Sequence, residues 1–353
     1  MAFLLWAVIA CNGENTGEEL GEYTTDTGGL TEDIPFSVPD GSSSAVVYCG
    51  PYGDNLLGTA WEIKDADGNY VYTNEFHDDY APTKMRVGNL DDMLPVLMPV
   101  SPDLDLSSGD HTMKVWIAAG GEPVTVKCDA IYRSGGEGST LDLHFWFVGT
   151  DLNENNVEKD DDWSTVLAHL RKWWGAGGVE VGDVTYDDFT GSVDQYTVLD
   201  ADTEFNDLLR TTDEDGEVLT IFLVQEITSS SGGTILGQSA GPPGLPTVSG
   251  TSKSGMVVTM ADLHDDPVGV ARTIAHEGAH FLGLFHTTEK DGSNHDPLGD
   301  TPECSTGDDA NSNGTLEPSE CPDGGNLMFW GQSDTADLSD DQSWVLRRNP
   351  DVY

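Results

Sequence analysis

His276-Glu277-Gly278-Ala279-His280-Phe281-Leu282-Gly283-Leu284-Phe285-His286 is the stretch that decides the reading of this chain. Its pattern is HExxHxxGxxH, three imidazoles and one carboxylate at spacings that suit a tetrahedral zinc site. On a helix, His276 and His280 lie one turn apart on the same face, so both reach one ion. Gly283 can adopt a backbone angle that ends the helix and turns the chain. His286 then returns as a third ligand. Three protein ligands leave one position open for water, which distinguishes a catalytic zinc from a closed structural one. Glu277, beside the first ligand, is placed to take a proton from that water as it attacks a carbonyl. With His at 9 of 353 residues and Gly at 41, chance produces this constellation in roughly one chain in ten thousand or fewer. A helix of merely solvated histidines would need neither the Glu nor the Gly.

The rest of the composition narrows the setting. A length of 353 residues is enough for two domains, and 63 acidic against 15 basic residues give a net charge of −48. Such a surface repels nucleic acid and anionic headgroups, which excludes a DNA- or RNA-binding role. It suits binding of divalent cations or a salty exterior, and most of these carboxylates read simply as a solvated surface. Residues 3–9 form an apolar run too short to span a bilayer, followed by Ala10-Cys11. That run reads as the core of a secretory signal. Val8-Ile9-Ala10-Cys11 resembles a bacterial lipobox, although no Lys or Arg precedes the run. Residues 1–11 are therefore expected to be a signal peptide with Cys11 as lipid attachment point, and the protein to be exported to the cell envelope or beyond. Cys49, Cys128, Cys304 and Cys321 remain, an even set with three possible pairings. Proximity favours Cys49–Cys128 and Cys304–Cys321; reduced intracellular thiols are the alternative.

Residues 12–40 are rich in Gly, Thr, Glu and Asp with few large apolar groups, and are expected to form a flexible acidic tether. From 41 to 134 short runs of β-branched and aromatic residues recur at Ala45–Tyr48, Thr59–Ile63, Tyr70–Thr73, Thr112–Ile117 and Thr125–Ile131. Asp67-Gly68 marks a tight hairpin turn between two of them, a simpler account of Asp65, Asp67 and Asn69 than calcium binding. This density of strands predicts an all-β sandwich of immunoglobulin-like size. Gly135-Gly136-Glu137-Gly138 is a linker. Beyond it strands and helices alternate: strands at Leu141–Val148, Val179–Val184, Val218–Glu226 and Met256–Met260, helices at Asp162–Trp174 and Thr203–Leu209. Asp162 or Ser164 is the candidate cap of the first helix. Asp266-Pro267 offers an N-cap and a favoured first position for the helix that carries the histidines. An α/β sheet with that helix packed beneath it is the predicted architecture of 139–353.

These residues resemble the metzincin clan of zinc endopeptidases, and within it the pappalysin–ulilysin–cytophagalysin family. Besides the zinc motif, Leu236-Gly237, Ala240, Pro242 and Gly255-Met256-Val257-Val258 are similar to that family's upper edge strand and rim. Asp300-Thr301-Pro302 matches its Asp-Thr-Pro, Asn326-Leu327-Met328 its Asn-x-Met turn, and Leu338–Gln342 the helix start that follows. The resemblance covers residues 139–353, most specifically from 236 onward. It implies an α/β zincin catalytic domain with a twisted mixed sheet. It also implies His276, His280 and His286 as zinc ligands, Glu277 as general base, and Met328 as a packing residue beneath the metal. An extended peptide or protein substrate would pair with the edge strand. One departure is plain: Trp330 stands where the family has Tyr, so only an indole N–H is offered there in place of a hydroxyl.

Asp309-Ala310-Asn311-Ser312-Asn313-Gly314-Thr315-Leu316-Glu317-Pro318-Ser319-Glu320 fits the twelve-residue calcium pattern D-x-N-x-N-G-x5-E. Asp309, Asn311, Asn313 and Glu320 would offer side-chain oxygens and Thr315 its carbonyl. Pro318 and Cys321 argue against flanking EF-hand helices, so a disulfide-clamped extracellular Ca2+ loop is expected. Asp151, Asn153 and Asn155 are a weaker echo without the Gly. Two functions follow: an exported zinc endopeptidase, or a calcium-dependent surface-binding lipoprotein that keeps the fold without turnover. The intact Glu277 favours the first.

Overall fold

The computed structural model describes residues 14–74, 85–88, 90–104, 106–213, 216–230, 232, 235–333 and 335–353. The expected signal peptide, residues 1–11, lies outside them. The structure is mostly β, with several sheets and few helices. It divides into two compact units, one running to Gly138 and taking in Arg348–Asp351 and Tyr353, the other Ser139–Arg347 with Val352.

The first unit holds two antiparallel sheets. In one, the strands run in the order Asn15–Thr24, Thr125–Ser134, Ser42–Gly50, Leu94–Met98. In the other the order is Ile34–Val38, Gly109–Ile117, Leu57–Lys64, Tyr70–Thr73, with Leu90–Asp91 also pairing to Leu57–Lys64. Ile34–Val38 alternates strictly between buried and exposed positions, the period of a strand with one face on a core. The tether expected over 12–40 is therefore corrected: Asn15–Thr24 and Ile34–Val38 are both strands. Asn15–Thr24 buries almost nothing and is held by its backbone ladder to Thr125–Ser134. Its composition carries no apolar alternation, so only pairing defines it. Cys49 and Cys128 face each other across neighbouring strands and form a disulfide. Asp65 accepts the backbone N–H groups of Asp67 and Asn69 in the hairpin turn, where Gly68 has φ +81°. Arg348–Asp351 belong to this unit: Asn15 Nδ2 donates to the Pro350 carbonyl at 2.9 Å, and Ser44 Oγ to that of Arg348. The expected second domain, 139–353, thus gives up its tail.

The second unit is built on a five-stranded sheet in the order Glu180–Asp188, Thr140–Val148, Val218–Val224, Met256–Thr259, Gly237–Ser239. The first four strands are parallel and the last, at the edge, is antiparallel. Val218–Val224 is nearly all buried, as a central parallel strand covered on both faces must be. The helix Asp161–Ala176 contributes fully buried Trp163 and Trp174. Its cap is Asp160, whose carboxylate accepts the Trp163 N–H at 2.8 Å, and not Asp162 or Ser164 as expected. The Trp174 indole donates to the Ala275 carbonyl of the helix Pro267–Phe281, fixing the two helices against each other. The segment likened to the family's upper edge strand contributes the short strand Gly237–Ser239 at the sheet edge. Cys304 and Cys321 form the second disulfide.

Candidate metal centre

Pro267–Phe281 starts where its sequence says it should: Asp266 accepts the Gly269 N–H at 2.9 Å and Pro267 occupies the first turn. It ends at Leu282, and Gly283 at φ +112° turns the chain back. The Leu284 N–H closes on the Ala279 carbonyl at 2.9 Å. That bend brings His286 to the two helical histidines, and candidate ligand nitrogens of all three lie within 4.8 Å of one another. His286 Nε2 is 3.1 Å from His276 Nε2 and 3.0 Å from His280 Nε2.

The outer nitrogen of each ring decides what these inner atoms are. His276 Nδ1 lies 2.7 Å from the Leu327 carbonyl, His280 Nδ1 2.7 Å from the Leu284 carbonyl, and His286 Nδ1 2.9 Å from Glu289 Oε2. Carbonyl and carboxylate oxygens accept, so each Nδ1 is the donor of its outer hydrogen bond and each Nε2 is turned to the common centre. Burial holds His276 down to about 3, with the neighbouring His286 adding to the effect, so a ring proton does not relieve the repulsion at neutral pH. Three ring nitrogens turned to one centre at these separations could share a single cation. The donor set, neutral imidazoles oriented by carbonyl and carboxylate partners, fits zinc.

Glu277 lines the same cavity as His276, a space of about 480 Å³ walled by Ile235, Leu236, Gly237, Arg272, Thr273 and Trp330 among others. Burial pushes the Glu277 carboxyl up to about 8, while the backbone N–H of Ser239 in the edge strand opposes the shift. Gly237 is required there: a Cβ would sit 2.7 Å from Glu277 Cγ and 2.8 Å from Thr273 Cγ2. The edge strand and the motif helix touch because that position has no side chain.

Beneath the histidines, Asn326 Oδ1 accepts the Met328 N–H at 2.8 Å and bends the chain so that the Leu327 carbonyl meets His276. Gln342, fully buried, returns the contact, exchanging two hydrogen bonds with the Asn326 amide. Met328 is fully buried. The segment after His286 is tied down by Asp323, whose Oδ2 accepts the hydroxyls of Thr287 and Thr288 at 2.6 and 2.7 Å. Asp300 accepts the Asp341 N–H at the start of the helix Asp340–Leu346. Trp330 lines the cavity, but its indole N–H donates to the Leu316 carbonyl at 2.7 Å, so that donor is already committed.

The loop 309–320 gathers its candidate oxygens differently. Asp309 Oδ2 accepts the Gly314 N–H at 2.8 Å, Asn313 Oδ1 the Thr315 N–H at 2.8 Å, and Glu320 Oε1 the Ala310 N–H at 3.0 Å. Asn311 Oδ1 accepts from Asn313. These residues come together, but their side-chain oxygens are engaged by the loop's own backbone. In another grouping, Asp160 and Asp162 are part-buried and His264 exposed; Asp160 serves as helix cap and Asp162 pairs with His264. Glu289, Asp323, Arg272 and Ser239 were not singled out in the sequence; an acid three residues after the third His was the one readable signal among them.

The chain matches no protein-family model. No curated protein is similar to it in sequence. Among solved structures it is similar to archaemetzincin from Methanopyrus kandleri, with 17% identity, covering 60% of this chain and 89% of that one at a TM-score of 0.31. It is also similar to metalloproteinase-II from Bacteroides fragilis, with 20% identity over 44% of this chain and a TM-score of 0.28. The chain spans 46% of the length of that second structure.

Proposed function

We propose that this protein is an exported zinc-dependent endopeptidase of metzincin type, nearest in its motifs to the pappalysin–ulilysin–cytophagalysin family. The observation that carries the reading is the convergence of three His Nε2 atoms, with His276 and Glu277 lining one cavity. His276, His280 and His286 would hold the ion. When bound, zinc supplies a Lewis acid that polarises a carbonyl and acidifies water. Glu277 takes the proton of the attacking water and returns it to the leaving amine. A cation nearby favours its charged form, against the burial that otherwise keeps it protonated. The Ser239 N–H holds the carboxylate in place from the edge strand. That strand ends the sheet, and a substrate backbone would lie along it by β-augmentation. Trp330 acts as a cavity wall and not as an oxyanion donor.

Two disulfides support an oxidising compartment, and no helix among the described residues is long and apolar enough to cross a membrane. Attachment through Cys11 and an immunoglobulin-like sandwich formed by the first unit's two sheets complete the proposal. We read the loop 309–320 as a weak Ca2+ site, supported by the spacing of Asp309, Asn311, Asn313, Thr315 and Glu320 and by Gly314 at φ +80°.

Glu277→Gln tests the reading. Turnover of casein or a quenched peptide should fall by about 10²–10⁴-fold, with zinc content by elemental analysis unchanged. Wild type and variant behaving alike on varied peptides would give the function to a surface-binding lipoprotein instead.

A further inference from the structure

Arg272 lies one helical turn before His276, on the face that reaches the metal centre. It is 4% exposed. Its Nε donates to the Thr335 carbonyl at 3.1 Å, and its Nη2 to the Asn326 carbonyl at 2.9 Å and toward Ser333 Oγ at 3.4 Å. These bonds tie the helix to the turn beneath the histidines. They leave Nη1 with no protein acceptor among the described residues, and that nitrogen is not sealed in the interior. The side chain lines the cavity that also holds His276 and Glu277.

The chain carries 63 acidic residues against 15 basic ones. Lys64, Lys114, Lys127, Arg210 and Arg348 each lie within ion-pair distance of a carboxylate. Arg272 has no carboxylate within that distance among the described residues, in a protein where carboxylates are abundant. Glu277 does not serve, because the groups acting on it are its own burial and the Ser239 N–H. Burying a guanidinium without a counter-charge is costly, and two carbonyls offset only part of that cost. Burial lowers its pKa to about 10, so it stays charged at neutral pH. The rest of the wall is apolar or aromatic at Ile235, Leu236 and Trp330, and the Gln332 amide donates to Thr273 Oγ1. A ligand with an apolar stem and an anionic tip fits such a cavity, and a carboxylate matches the guanidinium geometry.

We infer that Arg272 is a specificity-determining residue: it selects substrates that place a carboxylate in the cavity beside Glu277. This inference rests on the peptidase reading and supplies its substrate class. The carboxylate has two sources in a peptide, an acidic side chain or a free C-terminus, and the chemistry at Nη1 is the same for both.

The test uses matched peptides on the zinc-loaded full chain. One pair differs as Glu against Gln within C-terminally amidated sequences; a second, neutral pair differs as free carboxylate against carboxamide. Cleavage is measured with wild type, and binding of the same peptides is measured by calorimetry on Glu277→Gln. The carboxylate member of at least one pair should be preferred by about tenfold or more, and the pair showing it identifies the source. Arg272→Gln should abolish the preference and Arg272→Lys should keep part of it. Because Arg272 also holds the turn beneath the histidines, zinc content is followed in both variants, and the wild-type comparison stands without them. Cleavage with no preference in either pair overturns the inference and leaves the peptidase standing. A binding preference without cleavage keeps Arg272 as a carboxylate-binding residue but removes the peptidase reading, and with it the claim that the residue selects substrates. Neither binding preference nor cleavage overturns both.

Discussion

Two motifs in this chain carry the spacing of a cation site, and the structure treats them in opposite ways. Around the histidines, partners from three different places hold the outer nitrogens: Leu327 in the turn beneath, Leu284 past the glycine bend, and Glu289 three residues on. The inner nitrogens are thereby set before any ion arrives. In the loop 309–320 the candidate oxygens accept the loop's own N–H groups, as Asp309 does from Gly314 and Glu320 from Ala310. A cation there must share or displace those bonds, at an exposed site where water competes. The contrast is one of preorganisation: orientation supplied by the surrounding fold against orientation supplied by the loop itself.

The largest expected effect comes from removing a preset ligand. His286→Ala should bring bound zinc from about one equivalent to none and abolish hydrolysis, as an excess of chelator should in the wild type. The protein should stay folded, since His286 is part-exposed and sits outside the main core. Zinc retained at full occupancy and affinity in that variant would break the comparison at its stronger end.

A gentler change sharpens it. Glu289→Gln keeps an oxygen able to accept from His286 Nδ1 but removes the charge that raises the ring's basicity. Zinc affinity, measured by competition with a chelator, should fall about 10–100-fold. Unchanged affinity would mean that the three rings alone define the site and that outer orientation adds nothing.

How much of this was readable in the sequence follows the same division. The histidines, Glu277, the Asp266-Pro267 start and the Gly283 stop are local patterns: the helix begins after Asp266, the chain turns at Gly283, and the three rings converge. The Asn326-Leu327-Met328 turn was legible as a motif, yet its use, a carbonyl presented to His276, depends on a contact 51 residues distant. Arg272 and Asp323 were invisible for that reason. Their roles exist only once the segments 323–335, 287–288 and the helix are brought together. Asn15–Thr24 was missed on other grounds. A strand that buries nothing leaves no alternation to read, and its stability lies in a ladder to a partner over a hundred residues away. Conversely, the strand runs of the first unit were legible because their alternate residues face a core, as in Gly109–Ile117.

The smallest effect belongs to the loop, and it tests the weaker end of the comparison. Calcium sites in extracellular modules bind at about 10⁻⁴–10⁻³ M, and a loop that must rearrange its own hydrogen bonds belongs in that range. Calcium at about ten times such a constant stabilises the folded state by roughly 1.4 kcal/mol. For a unit of this size that corresponds to a rise in Tm of about 2–6 °C. Asp309→Ala removes the carboxylate that accepts from both Asn313 and Gly314, and should cancel the rise. Without calcium the same variant should lose no more than about 1 kcal/mol, since the bonds it breaks are exposed and water replaces them. The measurement is a thermal melt of the zinc-loaded protein with and without calcium, for wild type and variant. Equal shifts in both would place calcium elsewhere on this acidic surface, and no shift in either would leave the loop as a turn held together by its own backbone.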